Sequence, residues 1–310
     1  MTDNKGLVGL NNQGNTCYLN SILQCMLHCK KFVIYLFNHN DSIINSNKNL
    51  LLVEFVSLVD KIWFRDNKNI SPTSFLSKLV ETYPFYRIGQ QQDSHECMLN
   101  ILEELEKNII ELNIIELNID NQEIEKKEWF SMFTQHNFLK EVFYGLYETE
   151  IKCENNHSSI TKEPFVDISL PFDKESNLED LLDNFQKNEY LREDNKYYCE
   201  KCKQYVNAEK CLKIKEIPNN NLIIHLKRFD NFIKKKNNLI TYPEELTIKD
   251  IKYHLFGIVN HTGSLFGGHY YSYIKHIDNN WYELNDSNVS RIDKSVVVNK
   301  NAYLLFYQIE

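Results

Sequence analysis

The sequence predicts an α+β fold, helices first and sheet later, in a single domain over 1–310. Three observations predict it. Up to about residue 135 the apolar residues recur at helical spacing, and from about residue 143 they alternate or gather in short β-branched and aromatic blocks. No linker rich in Pro, Gly or Ser parts the two halves. A length of 310 residues suffices for a sizeable core, and 42% hydrophobic with 25% charged residues is the balance of a globular chain. No apolar run approaches a membrane span, and the opening MTDNKGLVGL is no secretory signal. The net charge of −8 argues against nucleic acid and suits a partner with a basic surface. Eight cysteines without a signal peptide read as reduced thiols in the cytoplasm or nucleus.

Taken in order, the first element is a helix that begins at Cys17. Leu19, Ile22, Leu23, Met26 and Leu27 fall at i, i+3, i+4, i+7 and i+8, one buried face. Asn15 or Thr16 caps it, after a turn-forming run rich in Gly and Asn. Leu51–Phe64 follows as a helix with Leu52, Phe55, Val56 and Val59 on one face. Ser71–Pro84 opens on a Ser-Pro start signal and stops at a second Pro. Gln91–Ile109 has Asp93 as its cap and Glu96 three residues on, a capping-box pattern. The pentapeptide IIELN occurs twice over Ile109–Asn118, too little for a repeat architecture, and reads as a helix extension or surface insertion. From Phe143 to Leu226, segments such as YGLYETEIKC and CLKIKEI alternate around a Pro-bounded loop at Glu163–Pro171, as antiparallel strands with long connections. The last third holds five more strand-like blocks: NLIIHLKRF, KYHLFGIVNH, GGHYYSYIKH, NNWYELND and AYLLFYQIE.

The chemistry starts at Cys17. At a helix N-terminus, free backbone N–H groups and the positive end of the dipole favour a thiolate. A nucleophilic thiol needs a base, and the base an orienting group. Of the ten histidines, His269 stands apart, because Gly267 and Gly268 before it allow a close backbone approach and an aromatic strand follows. An antiparallel pair joined by a turn at His276–Asn280 would carry Asn285 and Asp286 toward it. Either side chain can accept from a ring N–H and leave the other nitrogen facing the thiol.

Five segments in this order carry a resemblance. GLNNQGNTCYLNSILQ resembles a Cys box, and GGHYYSY with WYELNDSNV resembles a His box. QQDSHECM, HLKRF and YLLFY resemble three further segments of one family. From Gly9 to Tyr307 the chain is similar to the ubiquitin-specific proteases, cysteine-type ubiquitin carboxyl-terminal hydrolases. The resemblance implies a papain-like hand: a helical thumb over about 1–135, β-rich fingers over about 140–225 and a β palm over about 226–310. It implies Cys17 as nucleophile, His269 as general base, Asn285 as the third member, and Asp286 as a support that shares that role in some relatives. Asn12 matches the residue that stabilises the oxyanion. Ubiquitin and ubiquitinated proteins are the implied partners, with a monomer expected and no cofactor for catalysis.

Ubiquitin's basic tail ends Arg-Gly-Gly, so the resemblance also implies an anionic, narrow cleft. Asp93 and Glu96, on one helix face, match acidic residues of that channel. Gly267, Gly268 and Tyr270 would wall the slot, so Gly268→Val is expected to abolish cleavage and spare the fold. His261 and Gly263 match the loop before the His box. Cys199 and Cys202 form a C-x-x-C half-site for zinc. The family's second pair would fall at CENNHSS, where Cys153 is present but Asn156 replaces the second Cys. His157 can fill that vacancy, giving a structural zinc site of Cys153, His157, Cys199 and Cys202; the alternative is a decayed site that holds no metal. Cys25, Cys29, Cys97 and Cys211 are expected to be packing residues.

Overall fold

The computed structural model describes residues 5–46, 48–114, 132, 137–229, 234–264 and 267–309. The first part is helical: β1 (Gly9–Leu10), α1 (Cys17–Met26), α2 (Lys30–Asn38), α3 (Asn40–Ile44), α4 (Leu51–Trp63), β2 (Asn69–Ile70), α5 (Thr73–Thr82), α6 (Ser94–Glu111) and α7 (Phe138–Phe143). Side-chain caps start two of these helices, α6 at Asp93 and α7 at Asn137. The Asp93 carboxylate accepts from the backbone N–H groups of His95 (2.8 Å) and Glu96 (3.1 Å), which starts α6 at Ser94 rather than Gln91. The helix stops at Glu111, and the second IIELN copy falls mostly outside the described residues.

Helix α1 departs from the one-faced helix of the sequence reading, since all ten of its residues are buried. It lies between α6 on one side and palm strands on the other. Donors on its polar side chains bond to backbone carbonyls inside: Gln24 Nε2 donates to the Val8 carbonyl (2.8 Å) and Ser21 Oγ to that of Tyr18 (3.0 Å).

The middle of the chain holds β3 (Gly145–Cys153), β4 (Ser158–Phe165), β5 (Asp167–Leu170), β6 (Ser176–Asn177), α8 (Leu178–Phe185), β7 (Glu189–Leu191), β8 (Tyr197–Cys199), β9 (Gln204–Val206) and β10 (Ala208–Glu216). The fingers are an antiparallel sheet in the order β4-β3-β10-β7, with the β8–β9 hairpin beside it. The expected loop at Glu163–Pro171 is instead the end of β4 and all of β5. Pro164 is tolerated because β4 is an edge strand. Strand β5 leaves the fingers and pairs in parallel with β11 (Asn221–Leu226), so both lie in the palm sheet although the sequence ranges gave them to the fingers.

The palm continues with β12 (Ile240–Thr241), β13 (Glu245–Ile248), β14 (Ile251–Ser264), β15 (Gly267–Lys275), β16 (Trp281–Asn285), β17 (Asn288–Ile292) and β18 (Ala302–Gln308). Its sheet runs β17-β16-β15-β14-β18-β11-β5, with β13 on β14. Period-two alternation sends Leu304 and Phe306 into the core around α1, and Leu305 and Tyr307 into a second core with Leu178, Leu181 and Leu182 of α8. The core around α1 thus joins thumb and palm, and α1 stays fixed against β15. Each fully buried aliphatic side chain there contributes about 1.5–3 kcal/mol.

Candidate active site

The loop before α1 is built around a close approach. A Cβ at Gly9 would lie 2.4 Å from the Ser287 carbonyl oxygen, so only glycine lets the loop rest on the β16–β17 turn. Leu10 N–H then donates to the Asp286 carbonyl (2.8 Å). Across this seam Asn12 Nδ2 donates to Asp286 Oδ2 (2.9 Å) and Asn20 Nδ2 to Asp286 Oδ1 (2.7 Å). Asn12 Oδ1 accepts from the backbone of Gly14 (2.8 Å) and Thr16 (3.2 Å). Its amide is therefore pinned, with one Nδ2 hydrogen on Asp286 and the other available to a ligand.

The expected side-chain cap on α1 is absent. Thr16 precedes the helix, but its Oγ1 accepts from Gln13 N–H (2.9 Å), and Asn15 turns the chain at φ 56°. The N–H groups of Cys17 and Tyr18 stay free to face the Cys17 sulfur, joined by that of Tyr270 on β15. The expected thiolate does not follow. Burial pushes the Cys17 thiol above its ordinary value, the Asp286 charge adds to the rise, and the three backbone donors only partly offset it. In the free protein the thiol keeps its proton, which a base must remove.

His269 comes from the start of β15, which pairs antiparallel with β16 in a register that sets Ser272 opposite Leu284. Its Nε2 lies 2.7 Å from Asn285 Oδ1. Asn285 Nδ2 donates to Glu283 Oε1 (3.4 Å), which turns Oδ1 toward the ring, so Nε2 is the donor and Nδ1 is left unprotonated. Asp286 is one residue on, yet its carboxylate faces Asn12 and Asn20, not His269.

A cleft of about 230 Å³ opens beside Cys17, lined among others by Gln91, Asp93, Glu96, His261, Gly268 and Tyr270. Both oxygens of Asp93 are engaged: Oδ1 caps α6, and Oδ2 accepts from Tyr303 (2.6 Å) and Tyr270 (3.5 Å). Glu96 is exposed and makes no ion pair among the described residues, so it is the carboxylate available to a cation. His261 and Gly263 lie in β14 rather than in a loop. His261 is buried against Tyr270 and Phe229, with ring centroids 4.5 and 5.2 Å away. Burial, with the Lys235 and His269 charges, lowers its pKa to about 4, so it shapes the wall as a neutral ring.

The two glycines differ. A Cβ at Gly267 meets nothing within 4 Å, whereas one at Gly268 would lie 2.1 Å from His261 Nε2 and 2.5 Å from the Thr262 carbonyl. Gly268→Val would therefore collide with the protein's own β14, and the expectation of an undisturbed fold is corrected. Sequence reasoning missed Gln91, whose amide clasps Gly268 through Nε2 to the carbonyl (3.1 Å) and Oε1 from the N–H (3.2 Å). The QQD run was its signal. It also missed Asn20 and Tyr303, whose partners lie over 200 residues away in sequence.

At the fingertips, ligand atoms of Cys153, His157, Cys199 and Cys202 all lie within 4.8 Å of one another. His157 Nδ1 is 3.2 Å from Cys202 Sγ and 3.6 Å from Cys199 Sγ. Burial opposes ionisation of Cys199, but the Cys202 backbone and the His157 ring outweigh it and hold the thiol at about 6. Three thiols and an imidazole converging in this way fit one structural zinc ion, with His157 in the place of a fourth Cys. Cys25, Cys29 and Cys97 are buried, and Cys211 is half-buried.

The profile described as ubiquitin carboxyl-terminal hydrolase matches residues 8–307. Ubiquitin carboxyl-terminal hydrolase Usp2 of Drosophila melanogaster is 31% identical over 329 residues, covering 98% of this chain and 35% of that protein. Ubiquitin carboxyl-terminal hydrolase 8 of Saccharomyces cerevisiae (strain ATCC 204508 / S288c) is 30% identical over 343 residues, covering 98% of this chain and 71% of that one. The chain thus spans about a third of the first relative's length. Among solved structures, the SAGA DUB module of Ubp8, Sgf11, Sus1 and Sgf73 bound to monoubiquitin matches with a TM-score of 0.83 at 28% identity, over 100% of this chain and 70% of that one. The module bound to ubiquitin aldehyde gives 0.81 at 28% identity. These neighbours sit in multi-protein modules, so the expectation of a monomer gains no support from them. The profile runs from the loop that carries Cys17 to the last palm strand, and the chain belongs to the ubiquitin carboxyl-terminal hydrolase family.

Proposed function

We propose that this chain is a thiol-dependent deubiquitinase, hydrolysing the peptide or isopeptide bond after the C-terminal Gly of ubiquitin in ubiquitinated proteins. The observation that carries the reading is the 2.7 Å contact of His269 Nε2 with Asn285 Oδ1, on a strand whose next backbone N–H faces the Cys17 sulfur. His269 Nδ1 takes the proton of Cys17, and the thiolate attacks the carbonyl carbon of the last Gly. The second Nδ2 hydrogen of Asn12 and the backbone N–H of Cys17 receive the oxyanion, Asp286 holding Asn12 in place. His269 returns the proton to the leaving amine, then activates the water that cleaves the thioester. Glu96 favours a basic tail in the cleft, and the missing side chain of Gly268 lets β15 lie close against His261 and Thr262 in the cleft wall. The cytoplasm or nucleus would keep the eight free thiols reduced.

A ubiquitin probe with a C-terminal electrophile tests the reading. Labelling that is lost in Cys17→Ala is expected. Labelling only by a different ubiquitin-like modifier's probe would replace ubiquitin as the substrate, and no labelling by any would refute thiol hydrolysis.

A further inference from the structure

A groove of about 730 Å³ runs between thumb and palm at the far end of β15. Its floor is apolar, with Leu27, Leu255 and Phe256 buried beneath it. On its rim Ile34, Phe64 and Ile277 stand 48%, 46% and 69% exposed, and Phe37 stacks on Phe64 with centroids 4.3 Å apart. Single exposed apolar residues are ordinary, but several around a concave apolar floor mark a contact surface.

The charge is equally one-sided. Lys5, Lys30 and Lys275 line the groove and, among the described residues, no carboxylate does, in a chain of net charge −8. Of the carboxylates near it, Asp278 accepts from the Asn280 backbone and from Tyr282 (2.9 Å each) and lies 3.3 Å from His276 Nδ1. Glu244 pairs with Lys275 (3.6 Å) and Lys294 (2.8 Å), which leaves Lys5 and Lys30 as the groove lysines with no carboxylate partner among the described residues. We propose that this groove docks an acidic, apolar peptide segment of a partner protein. Its aliphatic or aromatic side chains seat between Ile34, Phe64 and Ile277, and its carboxylates meet Lys5 and Lys30. The same lysines repel a basic segment. Leu27 follows α1 and Lys275 ends β15, two elements that pack on each other and begin at the cleft. A docked segment therefore bears on both, about 15 Å along the helix from Cys17.

The test is fluorescence anisotropy with two dye-labelled dodecapeptides, one with Leu and Phe at helical spacing among glutamates, the other with every glutamate replaced by lysine. The glutamate peptide is expected to bind and the lysine peptide not to. The double variants Ile34→Glu/Ile277→Glu and Lys5→Glu/Lys30→Glu are each expected to weaken binding roughly tenfold or more. All four positions are exposed, and unchanged thermal melting verifies the fold of each variant. Equal binding of the two peptides, undiminished binding by both double variants, or no saturable binding of the glutamate peptide overturns the proposal. Oleate binding without peptide binding also overturns it, assigning the groove to an anionic lipid.

Discussion

Replacing Asp286 by Asn separates two effects of one carboxylate. Asp286 accepts from Asn12 at 2.9 Å and from Asn20 at 2.7 Å. Hydrogen bonds to a charged acceptor contribute about 1.5–3 kcal/mol each, and neutral ones about 1 kcal/mol. An amide offers one acceptor oxygen where the carboxylate offers two, so one bond is lost and the other falls to neutral strength. The anchoring of Asn12 and Asn20 drops by about 3 kcal/mol in total. Asn tolerates the φ of 51° at this position, so the turn survives. Felt at the oxyanion, that loss is about 10²-fold in kcat, within the range for removing one oxyanion donor. The second effect has the opposite sign. The Asp286 charge helps raise the Cys17 thiol, so its removal lowers that pKa and speeds alkylation at a fixed pH. The assays are steady-state cleavage of a fluorogenic amide of ubiquitin and the pH dependence of iodoacetamide modification at Cys17, read by peptide mass. A kcat within threefold of the parent, or an alkylation profile displaced to higher pH, refutes the reasoning.

Asn285→Ala removes the partner of His269 Nε2 and is expected to lower kcat by about 10²-fold with little change in KM, while Asn285→Asp keeps an acceptor and most of the rate; both are read with the same fluorogenic substrate. Gly267→Ala should leave cleavage and melting temperature unchanged, whereas Gly268→Ala should lower both, because its Cβ would lie 2.1 Å from His261 Nε2. Glu141 is fully buried, and burial raises its carboxyl from 4.5 to about 7. As pH rises from 4.5 to 7 the unfolded chain releases this proton before the folded one, so stability falls by about 3 kcal/mol over that window. Glu141→Gln should remove that slope from urea unfolding curves. The purified protein should carry zinc equimolar with chain by elemental analysis, and His157→Ala or chelation should lower both zinc content and melting temperature.

Local signals carried much of this into the sequence. Asp93 before Ser94 announces the start of α6, and a hairpin of ordinary length is enough to bring Asn285 near His269. The four zinc-site residues were legible as two short clusters, and the β3–β10 pairing carries one to the other. What the sequence hid depends on contacts it does not order. Asp286 looks like a second orienting acid until Asn12 and Asn20 are seen on its two oxygens. Asp93 looks free for a basic tail until Tyr303 occupies its second oxygen. A helix start favours a Cys17 thiolate through its dipole, but the burial that opposes it is decided by strands over 200 residues away. Pro164 read as a loop because edge position in a sheet has no local signature.

The seam between Gly9 and Ser287 also has a consequence for the newborn chain. The loop ahead of Cys17 rests on a turn made more than 270 residues later, and the imidazole and its amide partner also come from that late stretch. A ribosome-held fragment that lacks β16 and the turn after it has Cys17, His269 and Asn12 but neither Asn285 to orient the imidazole nor Asp286 to hold the Asn12 amide. The proposed hydrolysis therefore has to wait until the last palm strands dock and bring Asn285 to His269 and Asp286 to Asn12.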